Sequence, residues 1–144
     1  MISDEVIQAG LITRIKTIIA LFSGTSVLPD GVNGVRELQY QADDFQYPNI
    51  RLDLESNEYV FDEQELCQLY SIEFSLYIFS EERSSKQCSQ IKGLLENYLT
   101  GIGWTGTNAK YTRLRLIDSV PAVREDERTW RSQLKYRTKV QILP

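Results

Sequence analysis

The stretch Leu69–Leu99, LYSIEFSLYIFSEERSSKQCSQIKGLLENYL, constrains the fold most, because one buried strand runs into one amphipathic helix across a short polar break. Ile72, Phe74, Leu76 and Ile78 alternate with Glu73, Ser75, Tyr77 and Phe79, the period of two that turns successive side chains to opposite faces. Tyr77 and Phe79 leave the second face partly apolar. EERSSK ends the alternation after Ser80, and Ser84 or Ser85 is placed to cap the free N–H groups of a following helix. In that helix Cys88, Ile91, Leu94, Leu95, Tyr98 and Leu99 recur every three or four residues and form a single stripe. Thr100, Gly101 and Gly103 stop it. Stripes of this spacing are core far more often than sites, so Tyr98 and Cys88 are expected to pack.

The remaining elements follow from the same two periods. Val6, Ile7, Leu11, Ile15, Ile18, Ile19 and Phe22 lie on one helical stripe over residues 4–22, with Ser3 and Asp4 as candidate caps and Gly24 as terminator. A turn-rich loop built on Pro29-Asp30-Gly31 and Asn33-Gly34 follows. Residues 36–42 read as a short strand or an irregular segment. After Tyr47-Pro48, Ile50, Leu52 and Leu54 alternate with Arg51 and Asp53, which predicts a half-buried strand over 49–55. The acidic run SNEYVFDEQELCQ at 56–68 joins this strand to the next, which is expected to be its antiparallel neighbour. The run is longer than a tight hairpin needs, so it is either a mobile loop or an arm reaching a partner through Glu58, Tyr59, Val60, Phe61, Asp62 and Glu63. Tyr111–Val120 reads as a strand with Leu114 and Leu116 inward and Arg113, Arg115 and Ile117 opposite, closed by Pro121. The charged turn Arg124–Arg128 leads to the cleanest strand of the chain. There Trp130, Ser132, Leu134, Tyr136, Thr138, Val140 and Ile142 alternate with Arg131, Gln133, Lys135, Arg137, Lys139 and Gln141. These elements predict an α+β fold: a mainly antiparallel sheet of four to five strands with two helices packed on one face, in one domain over residues 1–144.

Composition narrows the chemistry. No run approaches the roughly 18 uncharged apolar residues that span a bilayer, and the acidic start Ser3-Asp4-Glu5 does not resemble a secretory leader, so a soluble protein without a membrane partner is expected. The chain has no histidine, which removes the commonest general base at neutral pH. Its two cysteines, Cys67 and Cys88, are too few for an ordinary zinc site and read as small core residues, with a disulfide as the alternative. Gly101-Ile102-Gly103-Trp104-Thr105-Gly106 matches a nucleotide-binding spacing, but it follows a helix instead of a strand and precedes no helix, so it reads as a turn. Paired acids such as Asp43-Asp44 and Asp62-Glu63 have no partner nucleophile or oriented base. No catalytic residue, cofactor or metal ligand is predicted.

Charge is unevenly spread. Residues 1–80 hold 4 Lys/Arg against 13 Asp/Glu (−9), and residues 81–144 hold 12 against 7 (+5). Such a chain can mate head to tail with its own copies, or the charges can interleave and cancel locally. The last strand poses the same question, since Lys135, Arg137 and Lys139 stand roughly 7 Å apart along one face. That face, with Arg113, Arg115 and Arg131, is a solvated surface paired with acids such as Glu73, a subunit interface, or a nucleic-acid contact without interleaved aromatics.

The order of elements, together with Tyr47-Pro48-Asn49-Ile50-Arg51-Leu52, the strand end Ile78-Phe79-Ser80 followed by Ser85-Lys86 and a leucine-bearing helix, and Val123-Arg124-Glu125-Asp126 ahead of the Trp130–Val140 strand, resembles the tail terminator (tail-completion) proteins of bacteriophages. The echoes fall within residues 47–140. The resemblance implies a structural virion protein, assembled in host cytoplasm and located in the tail or neck. It would form a ring, a hexamer, on the head-proximal end of the tail tube, ending tube polymerisation. Its partners would be copies of itself, the tail tube protein and a neck or stopper protein, with DNA only as a channel passenger. The alternatives are another neck or head-completion (stopper or connector) protein, or a small nucleic-acid-binding module.

Overall fold

Strict alternation builds the centre of the molecule. In the computed structural model β3 (Gln68–Ser80) and β7 (Trp130–Ile142) pair antiparallel along their whole length, from Gln68 opposite Ile142 to Ser80 opposite Trp130. Ile72, Phe74, Leu76 and Ile78 of β3 and Leu134, Tyr136 and Val140 of β7 are fully buried on one face, where Phe74 stacks on Tyr136 with ring centroids 5.7 Å apart. The structure describes residues 2–25, 28, 31, 32, 34–37, 47–60, 68–81 and 84–142, without the side chains of Ile2, Ser3 and Gln68. Around the central pair stand α1 (Ile2–Phe22), β1 (Val35–Glu37), β2 (Asn49–Val60), α2 (Lys86–Leu99), β4 (Trp104–Thr105), β5 (Ala109–Tyr111) and β6 (Arg115–Arg124).

The expected sheet of four to five mainly antiparallel strands with both helices on one face is corrected here. Among the described residues seven strands form a curled mixed sheet in the order β1-β2-β3-β7-β5-β4, with β6 also on β7, and β1 runs parallel to β2. β1 falls on the segment read as a short strand or irregular, of which residues 38–42 lie outside the described residues, and the added strands β4 and β5 are two and three residues long, too short to display a period. Because the sheet curls, α1 meets β1, β2 and β5 while α2 meets β3, β6 and β7. β5 and β6 lie along the same edge of β7, separated by a step at Thr112–Leu114. At that step Thr112 N–H and Oγ1 both donate to the Lys139 carbonyl, and Leu114 bridges to Thr100 at the end of α2.

Three boundaries differ from expectation for identifiable reasons. β2 does not stop at Glu55: it bulges between Leu54 and Ser56 and continues to Val60, opposite Leu69. β6 does not stop at Pro121: the proline falls in a register shift between Val120 and Val123, where a missing N–H costs no ladder bond. α1 starts at Ile2, so Asp4 lies inside it and accepts from Asn57 Nδ2 at 2.6 Å.

Both helices bury the stripes the sequence marks. Ile7, Leu11, Ile15, Ile18 and Ile19 of α1, and Cys88, Ile91, Leu94, Leu95 and Leu99 of α2, are buried, whereas Tyr98 is 40% exposed and packs on Phe22 at 5.0 Å. Ser84 Oγ accepts weakly from Lys86 N–H at 3.4 Å, while Ser85 occupies the cap position without a side-chain bond. Gly101, at φ +75°, turns the chain out of α2 and donates its N–H to the Leu114 carbonyl at 2.8 Å.

Candidate functional site

With one face of β7 committed to the core, its other face is the surface on which the predicted interface residues lie. Strand register sets its neighbours. Arg137 stands between Glu73 of β3 and Arg115 of β6, Lys135 between Ser75 and Asp118, and Arg131 between Phe79 and Val123. Glu73 receives Arg137 through Nε at 3.0 Å and Nη2 at 2.5 Å, and Lys135 Nζ lies 3.6 Å from its other oxygen. Lys135 also pairs with Glu55 at 3.0 Å.

Glu55 lies on this face by the same alternation that places Arg51 and Asp53 there, and it is the extra residue of the β2 bulge. The extra residue places Glu55 and Ser56 together opposite Glu73, and Glu55 accepts a short hydrogen bond from Ser75 Oγ. Gln133 Nε2 donates to the same Ser75 Oγ at 3.1 Å, so Ser75 has no exposed surface although it points away from the core. The Arg137 hydrogen bond, aided by both cations' charges, holds the Glu73 carboxyl below its ordinary range. The Glu55 hydrogen bond pushes the Lys135 ammonium up. Asp53, beside them on β2, moves the other way, raised by burial and then by the charge of Glu55.

The predicted set therefore divides. Lys135 and Arg137 belong to a charge network with Glu55 and Glu73; Arg131 pairs with Glu125 at 3.6 Å and lies over the Tyr77 ring at 5.9 Å. Arg113, Arg115 and Lys139 make no ion pair among the described residues. Arg113 is not on a strand but in the step between β5 and β6. Of the predicted arm, Glu58, Tyr59 and Val60 are the last residues of β2, and Tyr59 meets Tyr70 edge-on at 5.5 Å while remaining 53% exposed. Phe61, Asp62 and Glu63 lie outside the described residues, as does Cys67.

The charged turn before β7 is held by one carboxylate. Asp126 Oδ1 accepts from the backbone N–H groups of Arg128 and Thr129, each at 2.8 Å, which holds its carboxyl low. Cys88 is buried, with Sγ 3.2 Å from Ser132 Oγ and 3.4 Å from the Ile78 carbonyl. Burial pushes its thiol up and leaves it unreactive. Among the described residues no three His, Cys, Asp or Glu side chains are grouped to hold a metal.

A groove that sequence reading missed lies between the N-terminal half of α1 and the β4–β5 hairpin. Its volume is about 460 Å3, and Arg14, Trp104 and Tyr111 dominate its wall. Trp104 stacks on Tyr111 at 4.4 Å, and the Arg14 guanidinium lies 5.4 Å from the Trp104 ring centre. Tyr111 crosses to α1 and donates to the Ile7 carbonyl at 3.0 Å, which is possible only because Gly10 has no Cβ: one built there would sit 2.0 Å from the Tyr111 oxygen. A glycine inside an otherwise regular helical stripe was the available signal.

No family model matches the chain, and no curated protein does. Among solved structures, a chain titled "Virion of native gene transfer agent (GTA) particle" superposes with a TM-score of 0.55 at 11% identity, covering 76% of this chain and 79% of its own. In fold, this chain is similar to a component of that virion.

Proposed function

We propose that this chain is a structural virion protein and, within that class, a tail terminator. It assembles as a ring, a hexamer, on the head-proximal end of the tail tube, ends tube growth and offers a surface to the neck. It works through protein–protein contacts and not through catalysis. The observation that carries this reading is the fold shared with a virion component over three quarters of the chain, joined to the residue echoes between Tyr47 and Val140. The charge network supports protein contacts over nucleic acid. Arg131, Lys135 and Arg137 already face carboxylates, so of the four β7 cations Lys139 alone has no ion pair among the described residues.

The test is size-exclusion chromatography with light scattering on the purified full chain, followed by negative-stain imaging with tail tubes. Rings that seat on tube ends are expected. A chain that stays monomeric at every concentration and neither caps nor joins tubes overturns the reading. Rings that bind the neck but not the tube would instead assign the chain to a stopper or connector.

A further inference from the structure

One row of side chains crosses the sheet on its core face. Directly opposed residues on paired strands share a face, and the register joins Tyr59 to Tyr70, Tyr70 to Val140, Val140 to Tyr111 and Tyr111 to Trp104. The row runs from β2 through β3, β7 and β5 to β4, and all its members but Val140 are aromatic. Helix α1 lies over the middle, tied to β2 where Asn57 donates to Asp4 and to β5 where Tyr111 donates to the Ile7 carbonyl. Tyr70, Val140 and Tyr111 are buried, whereas the two ends emerge on opposite flanks of α1: Tyr59 is 53% exposed and Trp104 is half-buried.

The Trp104 end opens into the groove already described, every lining residue of which is among the described residues. Ala9, Gly10 and Thr13 of α1 give it small side chains on one wall, opposite Trp104. Arg14 stands over the Trp104 ring with its Nε covered and without a hydrogen-bond partner, and among the described residues Arg14 makes no ion pair. A covered donor left unpaired costs free energy that an incoming acceptor relieves. Glu5 also lines the groove, which disfavours a free anion and suits a neutral ring carrying one acceptor atom. Charge on the other face of the sheet has the same sense. Glu58 lies beside Tyr59 and Lys110 beside Tyr111; both are exposed, and neither is ion-paired among the described residues.

We infer that Tyr59 of one copy seats in the Arg14–Trp104 groove of the next copy of this chain. The phenol ring continues the aromatic row across the junction, its oxygen accepts from Arg14 Nε, and Glu58 approaches the side that carries Lys110. One copy does not fill its own groove, because α1 separates the two ends of the row. The contact therefore joins different patches on two subunits, which gives rings when the rotation closes, and it rests on tyrosine, tryptophan and arginine, the residues on which interfaces concentrate their binding energy. This rests on the ring reading above and names the contact that holds neighbouring subunits together.

A heterologous contact has a signature that a mixing experiment reads. Tyr59→Asp removes the inserted ring, and Thr13→Trp, at an exposed position of α1, fills the groove; each variant keeps the other half of the junction. Each is expected to be monomeric by light scattering where the unmodified chain is a ring, with the circular dichroism spectrum unchanged. Mixed one to one at that concentration, they are expected to form dimers and nothing larger, since only one intact junction remains; a mixture that stays monomeric overturns the assignment. If the unmodified chain forms rings and either variant still does, the assignment is wrong and the ring reading stands. If the unmodified chain neither forms rings nor caps tubes, the ring reading itself falls. Should a variant unfold, Trp130→Phe leaves Trp104 as the only tryptophan. Quenching of its fluorescence by acrylamide is expected to fall on going from dilute monomer to ring, and unchanged quenching overturns the contact.

Discussion

The two faces of β7 show how one strand can serve stability and surface chemistry at once. On one face Leu134, Tyr136 and Val140 are fully buried against β3 and the helices; on the other, Arg131, Lys135 and Arg137 face carboxylates at the surface. Burial of apolar area drives folding, whereas exposed ion pairs contribute little net stability because solvent screens them. The inner face therefore holds the subunit together, and the outer face contributes little to that.

Four measurements can break or sharpen that contrast. Phe74→Ala empties the middle of the inner face and is expected to cost about 3–5 kcal/mol by denaturant unfolding. Gly10→Ala tests the second core contact, where α1 meets Tyr111. The new methyl has to displace the Tyr111 hydroxyl, and overpacking of this kind costs about 1–3 kcal/mol. Tyr111→Phe keeps the ring stack on Trp104 and removes only the hydroxyl bonded to Ile7, so a loss of about 1 kcal/mol is expected from the same unfolding curves. An Arg137→Ala variant, by contrast, should leave the melting temperature at neutral pH almost unchanged, since its partner Glu73 stays hydrated; a loss as large as that of Phe74→Ala would refute the division between the faces.

Acid titration sharpens the same point with a sign. The folded-state pKa of Glu73 is lowered, so its pairing contributes stability above the ordinary value of 4.5 and loses it as pH falls through the lower folded value. Asp126 acts in the same direction. Asp53, raised by burial, opposes them: its charged form costs stability, and that cost is relieved as pH falls. Glu73→Gln is therefore expected to flatten the acid limb of a stability–pH curve below about pH 4.5. Burial pushes the Tyr136 hydroxyl up to about 12, so it stays neutral across this range.

Much of the frame was legible because long elements repeat their period many times. α1, α2, β3 and β7 each show four or more buried residues at the right spacing, and their limits are close to those read from the chain. What escaped has two physical causes. β4 and β5 are too short to show a period and exist because neighbouring strands offer them ladder bonds, and for the same reason β1 reads only as a strand or an irregular segment. The β2 extension reads as a mobile loop or an arm because the bulge at Glu55 breaks the alternation just where the strand continues. Glu55 escaped as the partner of Lys135 because the two stand on β2 and β7, with β3 between them, although Glu73 was expected as a cross-strand partner. The Arg14–Trp104–Tyr111 groove was illegible for another reason, since its walls lie some 90 residues apart in sequence.

That single extra residue on β2 gives the strand a place where its length can change without consequence for its tip. Leu54 pairs with Phe74 and Ser56 with Glu73, so deleting Glu55 would close the ladder and leave Asn57 and Tyr59 on the core side and Glu58 and Val60 on the outer side. Regular strand offers no such tolerance, since one residue inserted into an unbulged stretch turns over everything beyond it. Related chains can therefore lose the residue at this position and keep the hairpin's faces.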